Sequence, residues 1–176
     1  MTDVSYDFRD KNVVIIGGSG LLGTAIVNIL CDSGANIHVV DHRNSNDISY
    51  MDFNFHAVDI ADEVGLEKTL TKIVDEDEKI DSIINCAYPK TNRYGQSLEQ
   101  ISFADFCDSV SLHLGGFFNV LRVGSKVMHP QGAGSIISFA SIYGVIAPRF
   151  DIYDDCEFSM PVEYAAMKGG LIHLNK

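Results

Sequence analysis

The chain has 176 residues, 46% of them hydrophobic and 21% charged, with a formal net charge of −11. This composition implies a single globular domain over residues 1–176 and excludes a disordered tail, a collagen-like fibre or a polar solenoid. An excess of 24 acidic over 13 basic residues repels phosphate backbones and anionic bilayers, so neither nucleic acid nor membrane is an expected partner.

Residues Met1 to Asp10 are acidic and polar and lack the basic-then-apolar order of a signal peptide. No apolar run approaches the length of a membrane span. Cysteines stand at 31, 86, 107 and 156 with no C-x-x-C pair. They are expected to be small core residues of a reducing, cytoplasmic protein.

The chain alternates two patterns. Asn12 to Gly17 is a β-branched apolar run that suits a strand buried on both faces. Leu21 to Ser33 follows as a helix, with Leu22, Ile26, Ile29 and Leu30 at helical spacing and Gly34 as its stop. Asn36 to Val40 is the second strand, tipped by Asp41. Phe53 to Asp59 is the third, and Glu63 to Asp75 a helix with Leu66, Leu70, Ile73 and Val74 on one face. Lys79 to Cys86 is the fourth strand. Leu98 to Met128 reads as two helices broken near Val110 to His113. Pro130 to Gly134 is a turn and Ser135 to Phe139 a fifth strand. Pro148 to Val162 is irregular, and a last helix begins near Glu163.

Strand and helix alternating in this way predict a Rossmann-like, doubly wound parallel sheet in a three-layer α/β/α arrangement. The expected strand order is 3-2-1-4-5. Such sheets bind ligands beyond the carboxyl ends of their strands, where the order reverses. Because Lys176 lies inside the last helix, the domain is expected to lack its final strand or strands at the C-terminus.

Gly17, Gly20 and Gly23 follow strand one with the spacing G-x-x-G-x-x-G. Gly17 suits a tight turn. Gly20 clears space for a pyrophosphate, and Gly23 lets the helix approach the sheet. The helix start offers unpaired N–H groups to phosphates, Ser19 adds a hydroxyl, and Leu22 lies in the same first turn. Asp41, 24 residues after Gly17, suits the adenosine ribose hydroxyls and repels a 2′-phosphate, which favours NAD over NADP. Its alternative is a solvated turn acid, and the neighbouring Arg43 offers a partner for a 2′-phosphate. Asp59 reaches for an adenine amino group with Ile60 packed on the ring, or else caps the next helix. Asn85, followed by small Ala87, ends strand four and ties it to its neighbours through its amide, or is a turn asparagine.

Tyr164 and Lys168 stand at i and i+4 and share a helix face. A free phenol titrates near pH ~10, too high for exchange at neutral pH, and a lysine ammonium one turn away favours the phenolate. Lys168 can also hold ribose hydroxyls. Ser141, just past strand five, can bond a substrate oxygen.

Taken together, these residues resemble the short-chain dehydrogenase/reductase family over essentially the whole chain. The resemblance implies that Tyr164 is the general acid/base, that Ser141 positions the substrate carbonyl or hydroxyl, and that Lys168 assists both. It places His113 where the family has a helix asparagine that holds a relay water, although a core histidine is an equal reading. Three further departures stand out. Ile16 replaces a threonine before the first glycine. The glycine spacing is that of the extended, nucleotide-sugar branch. Ser141 and Tyr164 are separated more widely than is common, by the insertion Pro148 to Pro161.

The stretches Ser141 to Gly144 and Pro161 to Ala166, with Gly169 and Gly170, are similar to bacterial short-chain enzymes of surface-sugar and flagellin-modification pathways. That narrower resemblance implies a sugar or sugar-nucleotide substrate, and the family habit implies a homodimer or homotetramer. A non-catalytic dinucleotide-binding module and a nucleotide-sugar epimerase or dehydratase stand as alternatives.

Overall fold

The run Asn12–Ile16 forms β1, and its alternate side chains serve two different cores. Val13 and Ile15 pack with Val27, Leu30, Ile37 and Val39. Val14 and Ile16 pack with Val40, Leu66, Leu70, Ile83, Val120 and Val123. A strand whose side chains are apolar on both faces must be covered on both faces, and the helices supply that cover.

The computed structural model describes residues 6–43, 53–153, 155 and 160–176. After β1 come α1 (Leu21–Asp32), β2 (Asn36–Asp41), β3 (Asn54–Ala57), α2 (Glu63–Asp77) and β4 (Ser82–Asn85). The long α3 (Phe103–Met128), β5 (Ser135–Ser138) and α4 (Val162–Leu174) complete the elements. The strand order is β3-β2-β1-β4-β5, as expected. The pairs β1–β2, β1–β4 and β2–β3 are parallel, with Val14 opposite His38 and Ile83. Helix α1 covers one face of the sheet, while α2 and the last part of α3 cover the other. Among the described residues no helix is long and apolar enough to cross a membrane.

The residues group into two compact units, 1–87 with 119–137 and 88–118 with 138–176. The first holds β1 to β4, α1 and α2. The second holds the start of α3, the segment after β5, and α4.

Several local expectations change. The stretch 103–128 is one continuous helix, not two. Ser109 and His113 bond outward, to Glu163 and to the Pro89 carbonyl, and so leave the helical ladder intact. The helix begins at Phe103, not Leu98. Ser102 and Asp105 form a reciprocal cap there, each backbone N–H bonding the other's side chain. In α1 the buried face is Gly23, Val27 and Leu30, whereas Leu22 and Ile29 are exposed. The helix start lies so close to β1 that Gly23 faces the sheet, which turns Leu22 outward. Helix α1 ends in a Schellman arrangement, with Gly34 N–H bonding the Cys31 carbonyl and Ala35 N–H the Leu30 carbonyl.

The cysteines are not uniformly core. Cys31 and Cys86 are half-buried and Cys107 is exposed, while Cys156 lies outside the described residues. Burial pushes the Cys86 thiol up to about 11.

The loop after β3 is anchored by Asn119, whose buried side-chain amide donates to the Ile60 carbonyl at 2.7 Å. Removing that donor leaves a carbonyl without its partner. Asn119→Ala is expected to lower the unfolding free energy by about 1–3 kcal/mol, measured by urea denaturation.

Candidate active site

In the first unit, the turn after β1 is shaped by backbone proximity. Gly17 has φ of +73°, and a Cβ there would lie 2.6 Å from the Ala87 Cα. A Cβ at Gly23 would overlap the Gly17 carbonyl oxygen. Two backbones meet where no side chain fits, so α1 starts directly against the end of β1. Gly20 differs, because a Cβ there would meet only the Gly17 carbonyl oxygen, at 3.3 Å. The space above it is open. Gly20 is also the N-cap of α1 and makes no side-chain cap bond, so the first N–H groups of the helix have no capping side chain.

Asp41 is buried at the tip of β2, not a solvated turn acid. Its carboxylate accepts the Ser19 N–H at 3.1 Å and the Arg43 N–H at 3.3 Å, with His42 Nδ1 at 3.0 Å. It therefore braces the glycine turn from the neighbouring strand. The Ser19 hydroxyl is buried and has no hydrogen-bond partner among the described residues.

Asp59 is not the cap of α2. It accepts the Ala61 N–H at 2.8 Å, and Asp62 caps the helix through the Gly65 N–H at 3.0 Å. The Ile60 side chain is packed into the core. Asn85 is fully buried and bonds within its own turn, accepting the Ala87 N–H at 3.1 Å. The bond joining β1 to the residue after β4 is instead Cys86 N–H to the Ile16 carbonyl, at 2.8 Å. The amide nitrogen of Asn85 is buried without a partner among the described residues.

In the second unit, Ser141 opens a single 3-10 turn, Ile142–Gly144, and its Oγ accepts the Tyr143 N–H at 3.2 Å. That turn packs against α4. A Cβ at Gly144 would lie 2.7 Å from the Lys168 carbonyl group. Tyr164, in the first turn of α4, is half-buried. Lys168, one turn on, is only 4% exposed. Its Nζ donates to the Phe139 carbonyl at 2.6 Å and lies 5.8 Å from the Tyr164 ring centroid. Burial pulls the Lys168 ammonium down to about 8.

His113, on α3, is buried and stacks on Phe117 at 5.2 Å. Its Nδ1 is 3.4 Å from the Pro89 carbonyl oxygen, which can only accept, so this nitrogen carries the proton. Nε2 is then a bare acceptor, buried without a partner among the described residues. Burial foremost, then the Lys168 charge, lowers His113 to about 4. The ring is neutral at physiological pH.

Three neighbours carry no signal in the spacing of the sequence motifs. Tyr88 makes edge contacts with Tyr164, His113 and Tyr94, and the Tyr88 and Tyr94 hydroxyls share a hydrogen bond. Burial raises the Tyr94 phenol. Glu163 is wholly buried and accepts from the Ser109 hydroxyl at 3.4 Å. The position of Tyr88 directly after strand four was the one available signal.

The sheet order and the glycine turn define a doubly wound α/β protein of the nucleotide-binding class. Within that class, the chain belongs to the short chain dehydrogenase family, whose model matches residues 11–176. Among curated proteins it is similar to post-translational flagellin modification protein A of Campylobacter coli. The two are 28% identical over 178 residues, covering 94% of this chain and 69% of that one. It is 26% identical to the bifunctional ribulose 5-phosphate reductase/CDP-ribitol pyrophosphorylase of Haemophilus influenzae, covering 88% of this chain but 30% of that protein. Among solved structures it resembles a short chain dehydrogenase from Leptospira borgpetersenii with bound NAD+. That likeness has a TM-score of 0.79 and 27% identity, covering 98% of this chain and 66% of the other. The chain thus spans between about a third and two thirds of the length of these proteins.

The neutral state of His113 has a consequence for stability. Its folded value near 4 lies below the ordinary 6.5, so the unfolded chain takes up the proton first as pH falls. This contribution is complete above pH 6.5 and is lost as pH falls towards 4. Wild type is expected to lose about 2–3 kcal/mol more than His113→Gln between pH 7 and 4.5, measured by urea unfolding at each pH.

Proposed function

We propose that the chain is the dinucleotide-binding and proton-transfer part of an NAD-dependent oxidoreductase. It would act on a carbinol or carbonyl of a sugar or sugar-nucleotide. The observation that carries this reading is the buried Lys168 ammonium 5.8 Å from the Tyr164 ring. Burying an ammonium is costly, and among the described residues Lys168 has one hydrogen-bond partner for its three N–H donors. The two remaining donors suit the ribose hydroxyls next to a nicotinamide.

The residues of the first unit fit an adenine dinucleotide. The open space over Gly20, the uncapped start of α1 and the unpartnered Ser19 hydroxyl together offer donors to a pyrophosphate. Leu22 is exposed in the same turn. The Asp41 carboxylate favours ribose hydroxyls over a 2′-phosphate, so NAD is the cofactor we assign and NADP the less favoured one. When bound, the dinucleotide supplies the hydride acceptor or donor.

The remaining work falls to side chains of the second unit. Tyr164 gives a proton to the substrate oxygen in reduction and removes it in oxidation. Ser141 accepts from the Tyr143 N–H, so its own O–H is left to donate to that oxygen. Neutral His113 presents Nε2 as an acceptor for a water that passes the proton on. A sugar substrate is supported by the Haemophilus relative, whose name describes a ribulose 5-phosphate reductase. We also assign a homodimer or homotetramer, since α3 exposes Phe103 and Phe118, and we take the protein to be cytoplasmic.

NAD at one hundred times its Kd is expected to stabilise the fold by about 2.7 kcal/mol, read as a rise in melting temperature larger than NADP gives. Tyr164→Phe keeps that rise and loses about 10²–10⁴-fold in turnover across a panel of sugars and sugar phosphates. No stabilisation by either dinucleotide would reject the reading. Stabilisation without turnover in wild type would leave a binding module in place of an enzyme.

A further inference from the structure

The family reading gives no task to Tyr88, yet its ring lies beside three of the side chains that this reading uses, His113, Tyr164 and Lys168. Its ring meets His113 edge-on at 5.1 Å and Tyr164 at 6.1 Å. The Lys168 Nζ lies 5.7 Å from its centroid. Phe117 stands on another side of the same ammonium, at 5.1 Å, and Tyr164 at 5.8 Å. Three rings thus surround one cation that has a single hydrogen-bond acceptor, the Phe139 carbonyl.

The ring of Tyr88 is itself held. Its hydroxyl bonds that of Tyr94, and the Lys90 ammonium lies 4.9 Å over its face. At 40% exposure it is the outermost of the residues around Lys168, whereas Phe117 and His113 are buried. Removing it would open the enclosure to water from the solvent side.

We propose that Tyr88 is a positioning residue whose ring closes an aromatic enclosure around Lys168 and keeps its ammonium dry and fixed beside Tyr164. The proposal deepens the functional reading above, on which it rests for the use of Lys168, but the enclosure itself can be tested without cofactor or substrate. Two effects of the ring on Lys168 oppose each other. Attraction to the π face favours the charged form, and exclusion of water disfavours it. Burial is the cause that lowers Lys168, so exclusion of water is taken as the larger of the two effects, and the titration below decides between them. The other titratable groups facing this region are His113 from α3, Tyr164 from α4, Lys90 and Tyr94 beyond Tyr88, and Glu163, whose charge acts on Tyr88 and Tyr94. His113 is neutral throughout the range in which Lys168 titrates.

The test is an NMR titration of the full chain carrying lysine labelled with ¹³C at Cε, with the Lys168 signal assigned by its loss in Lys168→Arg. Wild type is expected to titrate near 8. In Tyr88→Ala the midpoint rises by about one unit or more towards the ordinary lysine value, because water reaches the ammonium. In Tyr88→Phe, which keeps the ring and loses the bond to Tyr94, it stays at the wild-type position. Tyr88→Ser replaces the alanine variant if that one fails to fold. An unmoved midpoint in the small-residue variant would overturn the proposal, and so would a phenylalanine variant that shifts as far as alanine. The melting-temperature response to NAD, measured on the same variants, reports separately on the functional reading.

Discussion

The contact on which the glycine turn after β1 depends is one of backbone with backbone. At the end of β1 the chain turns at Gly17 against the Cα of Ala87, and α1 then starts with Gly23 pressed on the Gly17 carbonyl. No side chain fits at either place. The helix start is therefore held at the strand end with its N–H groups uncapped, which is the condition for receiving a phosphate. Asp41 adds the electrostatic brace by accepting the Ser19 N–H from the next strand. One buried carboxylate thus both stiffens the turn and presents negative charge beside it.

The second unit solves a different problem, how to keep a charged amine away from water. Lys168 has one carbonyl and three ring faces for company. Its depressed value and that of His113 share one cause, burial, and the Lys168 charge further lowers His113. A cluster of this kind costs folding stability and is characteristic of sites that handle protons.

Much of this was legible along the chain. The positions of α1, α2 and α4 and the glycine spacing follow from local apolar runs and turn residues, because each is decided within a few residues, while the strand order follows from the alternation of strand and helix along the whole chain. The misjudged features depend on partners far away. Ser109 and His113 look like helix interruptions until Glu163 and the Pro89 carbonyl are seen to take their hydrogen bonds. Leu22 and Ile29 fit a helical stripe, yet the buried stripe runs through Gly23 because that glycine permits the closest approach.

By itself, then, the order of residues determined the doubly wound sheet, the glycine turn with Asp41 at the next strand tip, and the Tyr164 and Lys168 pair on one helix face. These follow from spacing, since periods of two and 3.6 residues decide which side chains share a face. The tertiary structure alone decided which polar atoms are satisfied, how deeply Lys168 and His113 are buried, and that Tyr88 stands among them. Burial and ring contacts arise between segments distant along the chain, here the turn after β4, α3 and α4, and no local pattern encodes that meeting.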